Sequence, residues 1–99
     1  MAESRSHKQT AQQIADKYKT EYNRGAGADV QTKNIAVEVE TPDTVGDASR
    51  QLQGHRKPVY IAGTNQEAVN RALASTQGTT IGVMDKTGKI IKPSTRKRK

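Results

Sequence analysis

Ninety-nine residues make one domain's worth of chain, and 31% hydrophobic content without Phe or Trp leaves material for only a thin core. The chain has no cysteine, which excludes a disulfide framework and a thiolate metal site; no apolar run approaches spanning length, and "MAESRSHKQT" lacks a signal peptide's apolar stretch, so the expectation is a soluble cytoplasmic protein with no membrane partner. The formal net charge of +7, with five of the seventeen Lys and Arg in the closing "KPSTRKRK", points toward phosphate polymers bound with salt-sensitive affinity, although such a tail also serves simply to solubilise a chain.

In chain order, residues 1–7 are polar and aperiodic and are expected to be disordered. Ala11, Ile14, Ala15, Tyr18 and Tyr22 then recur at helical offsets and predict an amphipathic helix running to about Tyr22, with Ser6/Gln9 and Thr10/Gln13 as equally good capping boxes. "NRGAGA" breaks it, and "DVQ" and "IAVEVE" flanking "TKN" read as a β-hairpin. "TPD" leads into a second helix from about Thr44 to Gln53, which carries Val45, Ala48 and Leu52 and stops at Gly54. "KPVYIAG" is a strand, and "TNQEAVNRALAST" a helix with a Thr64/Glu67 capping box. "TTIGVM" is a further strand, and "DKTG" turns the chain into "KIIK". Leu52 and Leu73 are the only leucines, so Ile, Val, Ala and the tyrosines must fill the core, a bias toward strands. Strands separated by helical segments imply parallel crossovers, hence an α/β domain with a mixed sheet over 8–92, followed by a basic tail, 93–99.

The hairpin poses the functional question. In "NIAVEVE" the alternation turns Ile35, Val37 and Val39 to one face and Ala36, Glu38 and Glu40 to the other. If Thr32 and Lys33 are the two loop residues, Asp29 lies diagonal to Glu38 on that same face; a three-residue loop reverses the parity. Three gathered carboxylates are costly to ionise without a positive partner, and Mg²⁺ or Mn²⁺, hard cations that prefer oxygen, fit best. In a basic protein, an acidic pocket beside phosphate-binding surface is what brings a metal to a phosphodiester. The competing reading is a solvated sheet face, which alternates in the same way.

The order of elements and the acids of "GADV" and "AVEVE" resemble the PD-(D/E)xK nuclease superfamily, nearest to the small archaeal Holliday-junction resolvases and related restriction-endonuclease-like proteins. The resemblance spans roughly residues 8–62. It implies an αβββαβ core with an added C-terminal helix and strands, with Asp29 and Glu38 in the metal-binding positions. Gln51 or Gln53 falls near a position where relatives often carry a glutamine. Glu40 stands where the family usually has Lys, the residue that positions or deprotonates the attacking water. Lys57 or Lys33 are the substitutes for that charge, and Asp16 and Glu21 are the acids available on the first helix.

The function expected on this basis is metal-dependent DNA endonuclease or resolvase activity. Asp29 and Glu38 hold the cation, Glu40 completes the site or orients water, and Arg24, Arg50, Arg56 and Lys57 contact backbone phosphates. A two-fold homodimer would present two sites to two strands. The alternative is an inactive nuclease fold acting as a nucleic-acid-binding or scaffold domain. His7 and His55 have no metal-ligand spacing and read as exposed surface residues; "GAGAD" lacks the length and Lys of a P-loop; no serine has a partnered His and acid.

Overall fold

The computed structural model describes residues 5–22, 28–46, 48 and 57–95. Its elements are α1 (Arg5–Lys17), β1 (Val30–Gln31), β2 (Ala36–Glu40), β3 (Val59–Gly63), α2 (Gln66–Ser75), β4 (Gly82–Met84) and β5 (Ile90–Lys92). The strands form one mixed α/β sheet in the order β1-β2-β3-β4-β5. Both outer pairs are antiparallel, and β2, β3 and β4 run parallel, as expected for strands linked by crossovers.

Strand alternation distributes the core over both faces. On one, Ile14, Ala11 and Ala15 of α1 pack on Val30, Val37, Val39, Tyr60, Ala62 and Met84, with Tyr18 and Tyr22 against the same group. On the other, Ala68, Val69 and Ala72 of α2, together with Val45 and Ala48, cover Ala36, Val59, Ile61 and Val83. Every residue of β2 and β3 is therefore buried, the glutamates included.

Several boundaries differ from the sequence expectation. The first helix already includes Arg5, the first described residue and upstream of both capping boxes, so residues 5–7 are helical where disorder is expected. It ends at Lys17: Lys19 turns into the left-handed region (φ 57°) and Thr20 N–H closes on the Ala15 carbonyl at 2.9 Å. Tyr22 is consequently off the helix and bridges Val30 in antiparallel fashion. The expected helix from Thr44 is helical at Val45, Gly46 and Ala48; its remainder, with Leu52, Gln51 and Gln53, lies outside the described residues. The Thr44 hydroxyl closes the preceding turn, accepting from Thr41 N–H at 3.0 Å.

Helix α2 is capped by Asn65, whose side chain accepts from Ala68 N–H at 2.9 Å. Thr64, the expected cap, still belongs to the strand ladder: its N–H bonds the Glu40 carbonyl at 3.0 Å. The "DKTG" turn forms as expected around Asp85 Oδ1, which accepts from Thr87 N–H, Thr87 Oγ1 and Lys89 N–H. Gly88, at φ +84°, presents its carbonyl to Lys17 and Tyr18 and so ties the end of α1 to this turn.

Candidate functional site

The hairpin loop has four residues, Thr32 to Ile35, where two are expected: Thr32 N–H bonds the Ile35 carbonyl at 2.9 Å, and the Thr32 hydroxyl accepts from Asn34 and Ile35. Two extra residues keep the parity and shift the register. With Val30 opposite Val37 and Gln31 opposite Ala36, Asp29 falls directly across from Glu38, and the expected diagonal is corrected to a facing pair. Asp29 N–H donates to Glu38 Oε1 at 3.2 Å, and Val39 N–H donates to Asp29 Oδ2 at 2.9 Å.

The acids are not on a wetted face. Glu38 is 7% and Glu40 8% exposed, because Val45, Ala48 and α2 cover that side of the sheet. Burial above all drives the Glu38 carboxyl up to about 8; the Asp29 charge, a side-chain hydrogen bond with Asp29 and the Glu40 charge add to this, and the Asp29 N–H opposes it. Near neutral pH the pair thus retains a proton, with Glu38 the natural holder.

Glu40 closes β2, in register with Gly63 at the end of β3. A Cβ on Gly63 would meet Val69 N at 2.6 Å and the Ala68 carbonyl carbon at 2.9 Å, so the bare glycine lets the first turn of α2 settle on the strand end. Glu40 therefore lies at the carboxyl ends of two parallel strands, while Glu38 sits mid-strand opposite Ile61 and faces Asp29 at the sheet edge.

A residue that sequence spacing leaves on the surface completes the group. His7 is held in the interior margin, its side chain 17% exposed like that of Asp29, with Nε2 3.2 Å from Asp29 Oδ2. The Tyr22 hydroxyl lies 3.3 Å from His7 Nδ1. The expectation of an exposed His7 is therefore corrected. One signal pointed to it: His7 stands four residues before Ala11 and seven before Ile14, on the upstream continuation of the apolar stripe.

The other expected residues are placed as follows. Lys57 donates to Gln31 Oε1 at 3.1 Å and to the Thr32 carbonyl at 2.8 Å, at the hairpin tip. Val59 pairs with Ala36, so Lys57 lies four strand positions from Glu38, roughly 13 Å away. Lys33 is exposed in the same tip. Neither supplies the charge missing at Glu40. Asp16 is exposed and bonded to Gln12, and Glu21 is exposed beyond the helix end. Arg24, Arg50, Arg56 and His55 lie outside the described residues.

Among the described residues, no three His, Cys, Asp or Glu side chains form a metal-holding group. Asp29 and Glu38 nevertheless suit a hard cation: two facing, largely buried carboxylates need either a proton or a cation between them. Mg²⁺ is commonly held by one or two carboxylates, with water and phosphate oxygens filling the remaining positions. Compared with known proteins, the chain matches no family model, no curated protein and no solved structure. Among the described residues, no helix is long and apolar enough to cross a membrane.

Proposed function

We propose that the chain is a metal-dependent DNA endonuclease or resolvase-like protein, with Asp29 and Glu38 as the residues that hold Mg²⁺ or Mn²⁺. The observation that carries this reading is the facing pair of a buried Glu38 and a half-buried Asp29, whose shared proton a divalent cation would replace. The order of elements supports it too. Helix α1 precedes an antiparallel ladder of Tyr22, β1 and β2; helical residues follow at Val45, Gly46 and Ala48; and β3 is parallel to β2, in keeping with an αβββαβ core.

A bound cation would polarise the scissile phosphate and lower the pKa of an attacking water. The protein's own part is positional. Val39 N–H and His7 hold Asp29 Oδ2, while Asp29 N–H holds Glu38 Oε1. In this reading Glu40, one strand position beyond Val39, accepts a hydrogen bond from the water and orients it. Arg24, Arg50, Arg56 and Lys57 supply phosphate contacts, with Lys57 acting from the hairpin tip. A two-fold dimer would bring two such sites to a branched or duplex DNA.

A second reading has its own observation. With Lys33 and Lys57 both at the far end of the hairpin, neither replaces the lysine expected at position 40, which favours an inactive nuclease fold that binds nucleic acid or serves as a scaffold. Cleavage of branched and linear DNA by wild type and Glu38→Gln in Mg²⁺ or Mn²⁺ decides between them. The nuclease reading expects cation-dependent cleavage that falls at least about 100-fold in the variant. Binding without cleavage selects the second reading, and cleavage untouched by the substitution removes Glu38 from the site.

A further inference from the structure

The Asp29 carboxylate is anchored from two sides by groups that do not belong to its own strand. Oδ2 accepts from Val39 N–H, across the ladder, and from His7 Nε2 in the first turns of α1, 22 residues upstream. When the Asp29 carboxylate is ionised it only accepts hydrogen bonds, and the contact then requires the proton on Nε2. In the neutral ring with that tautomer Nδ1 is an acceptor, and the Tyr22 hydroxyl, 3.3 Å away, is placed to donate to it. The rings of His7 and Tyr22 are tilted at 57°, their centroids 6.1 Å apart, so the two side chains pack as well as bond. Tyr22 itself is fixed by its bridge to Val30, the residue after Asp29. The relay from Tyr22 through His7 to Asp29 thus starts and ends on the same antiparallel ladder and passes through a helix from the opposite face of the sheet.

We infer that His7 is a positioning residue of this site: oriented by Tyr22, it fixes Asp29 Oδ2 and leaves Oδ1 as the oxygen available to a divalent cation. The inference rests on the reading of Asp29 and Glu38 as a cation site. Two protein donors on one carboxylate oxygen restrict rotation of the group, so the other oxygen is presented in one direction before any cation arrives. Partners of this kind, standing behind metal-binding carboxylates and imidazoles, commonly change cation affinity by about 10- to 100-fold when removed. The contact also gives the polar turn around His7 a tertiary partner.

The experiment uses the full chain and Mn²⁺ alone as the probe. Affinity is read from calorimetry and from paramagnetic broadening of the Asp29 and Glu38 resonances, with thermal unfolding recorded for each protein. Long-range proton–nitrogen NMR of wild type, without metal, reads the tautomer of His7. The expected results are an Nε2–H tautomer and Mn²⁺ affinity about 10-fold or more weaker in His7→Ala. A smaller loss is expected in Tyr22→Phe, which keeps the imidazole and the fold, and recovery to within about fivefold of wild type in His7→Gln, whose amide N–H can replace Nε2–H. If His7→Ala does not fold, Tyr22→Phe and His7→Gln carry the comparison. Unchanged affinity in folded His7→Ala or in Tyr22→Phe, or an Nδ1–H tautomer in wild type, overturns the inference while leaving the cation site standing. Failure of wild type to bind Mn²⁺ at Asp29 and Glu38 overturns the cation site and the inference together, and an Nε2–H tautomer in that case makes the His7 contact a structural staple only.

Discussion

Strand β2 has two faces that are equally hidden from water and chemically opposed. Val37 and Val39 point into the apolar layer under α1, where burial alone accounts for them. Glu38 and Glu40 lie on the face covered by α2, Val45 and Ala48, where burial works against them and raises the Glu38 carboxyl to about 8. A protein with so little apolar residue gains no stability from covering two acids that a valine or alanine would replace. The contrast is that β2 offers only apolar side chains to the first face, whereas on the second, which has a core of its own, it places two acids beside Ala36.

The largest expected loss is on the packing face. Ile14 is fully buried against Val37 and Val39, and Ile14→Ala should lower stability by about 2 to 5 kcal/mol in denaturant unfolding, with cation binding retained at temperatures where the variant stays folded. On the acid face the effect depends on pH. The folded value of Glu38, about 8, lies above its ordinary 4.5, so the native state holds a proton that the unfolded chain releases. The associated stability is complete below about pH 4.5, declines as pH rises and is gone above about pH 8, amounting to a few kcal/mol. Glu38→Gln should flatten that slope; a stability profile over this range that is the same in wild type and variant would erase the distinction between the faces. Next comes Gly63→Ala, which drives a methyl into Val69 N and should cost about 1 to 3 kcal/mol while disturbing Glu40, its neighbour in the ladder. The smallest effect is Asn65→Ala, a loss of about 1 kcal/mol from the α2 cap, seen as a small drop in Tm with the acid pair unaffected.

Much of this arrangement was legible in local pattern. The alternation of "AVEVE" placed both glutamates on one face, and the four-residue loop kept the parity of a two-residue one, so Asp29 arrived on that face through a different register. The "DKTG" turn and the strand "VYIAG" formed where their residue types indicated. What sequence concealed depends on contacts between distant segments. The contact of His7 with Asp29 joins residues 22 apart in the chain, and nothing in either local stretch announces the pairing. Thr64 and Asn65 are both good caps; Asn65 caps the helix, while the Thr64 N–H bonds the Glu40 carbonyl and so is not free for the back-bond from Glu67 that a capping box needs. Whether the acid face was wet or dry could not be read from β2 itself, since the residues that dry it come from Val45, Ala48 and α2.

The central claim, that the acid face is a cation site held in waiting by a proton, is tested most directly by following the Glu38 carboxyl carbon by NMR as pH is varied, with and without Mg²⁺. The account predicts a midpoint of about 8 in the metal-free protein and one lower by more than about one pH unit when Mg²⁺ is present. A Glu38 midpoint near 4.5 without metal, or one that Mg²⁺ does not move, would contradict it.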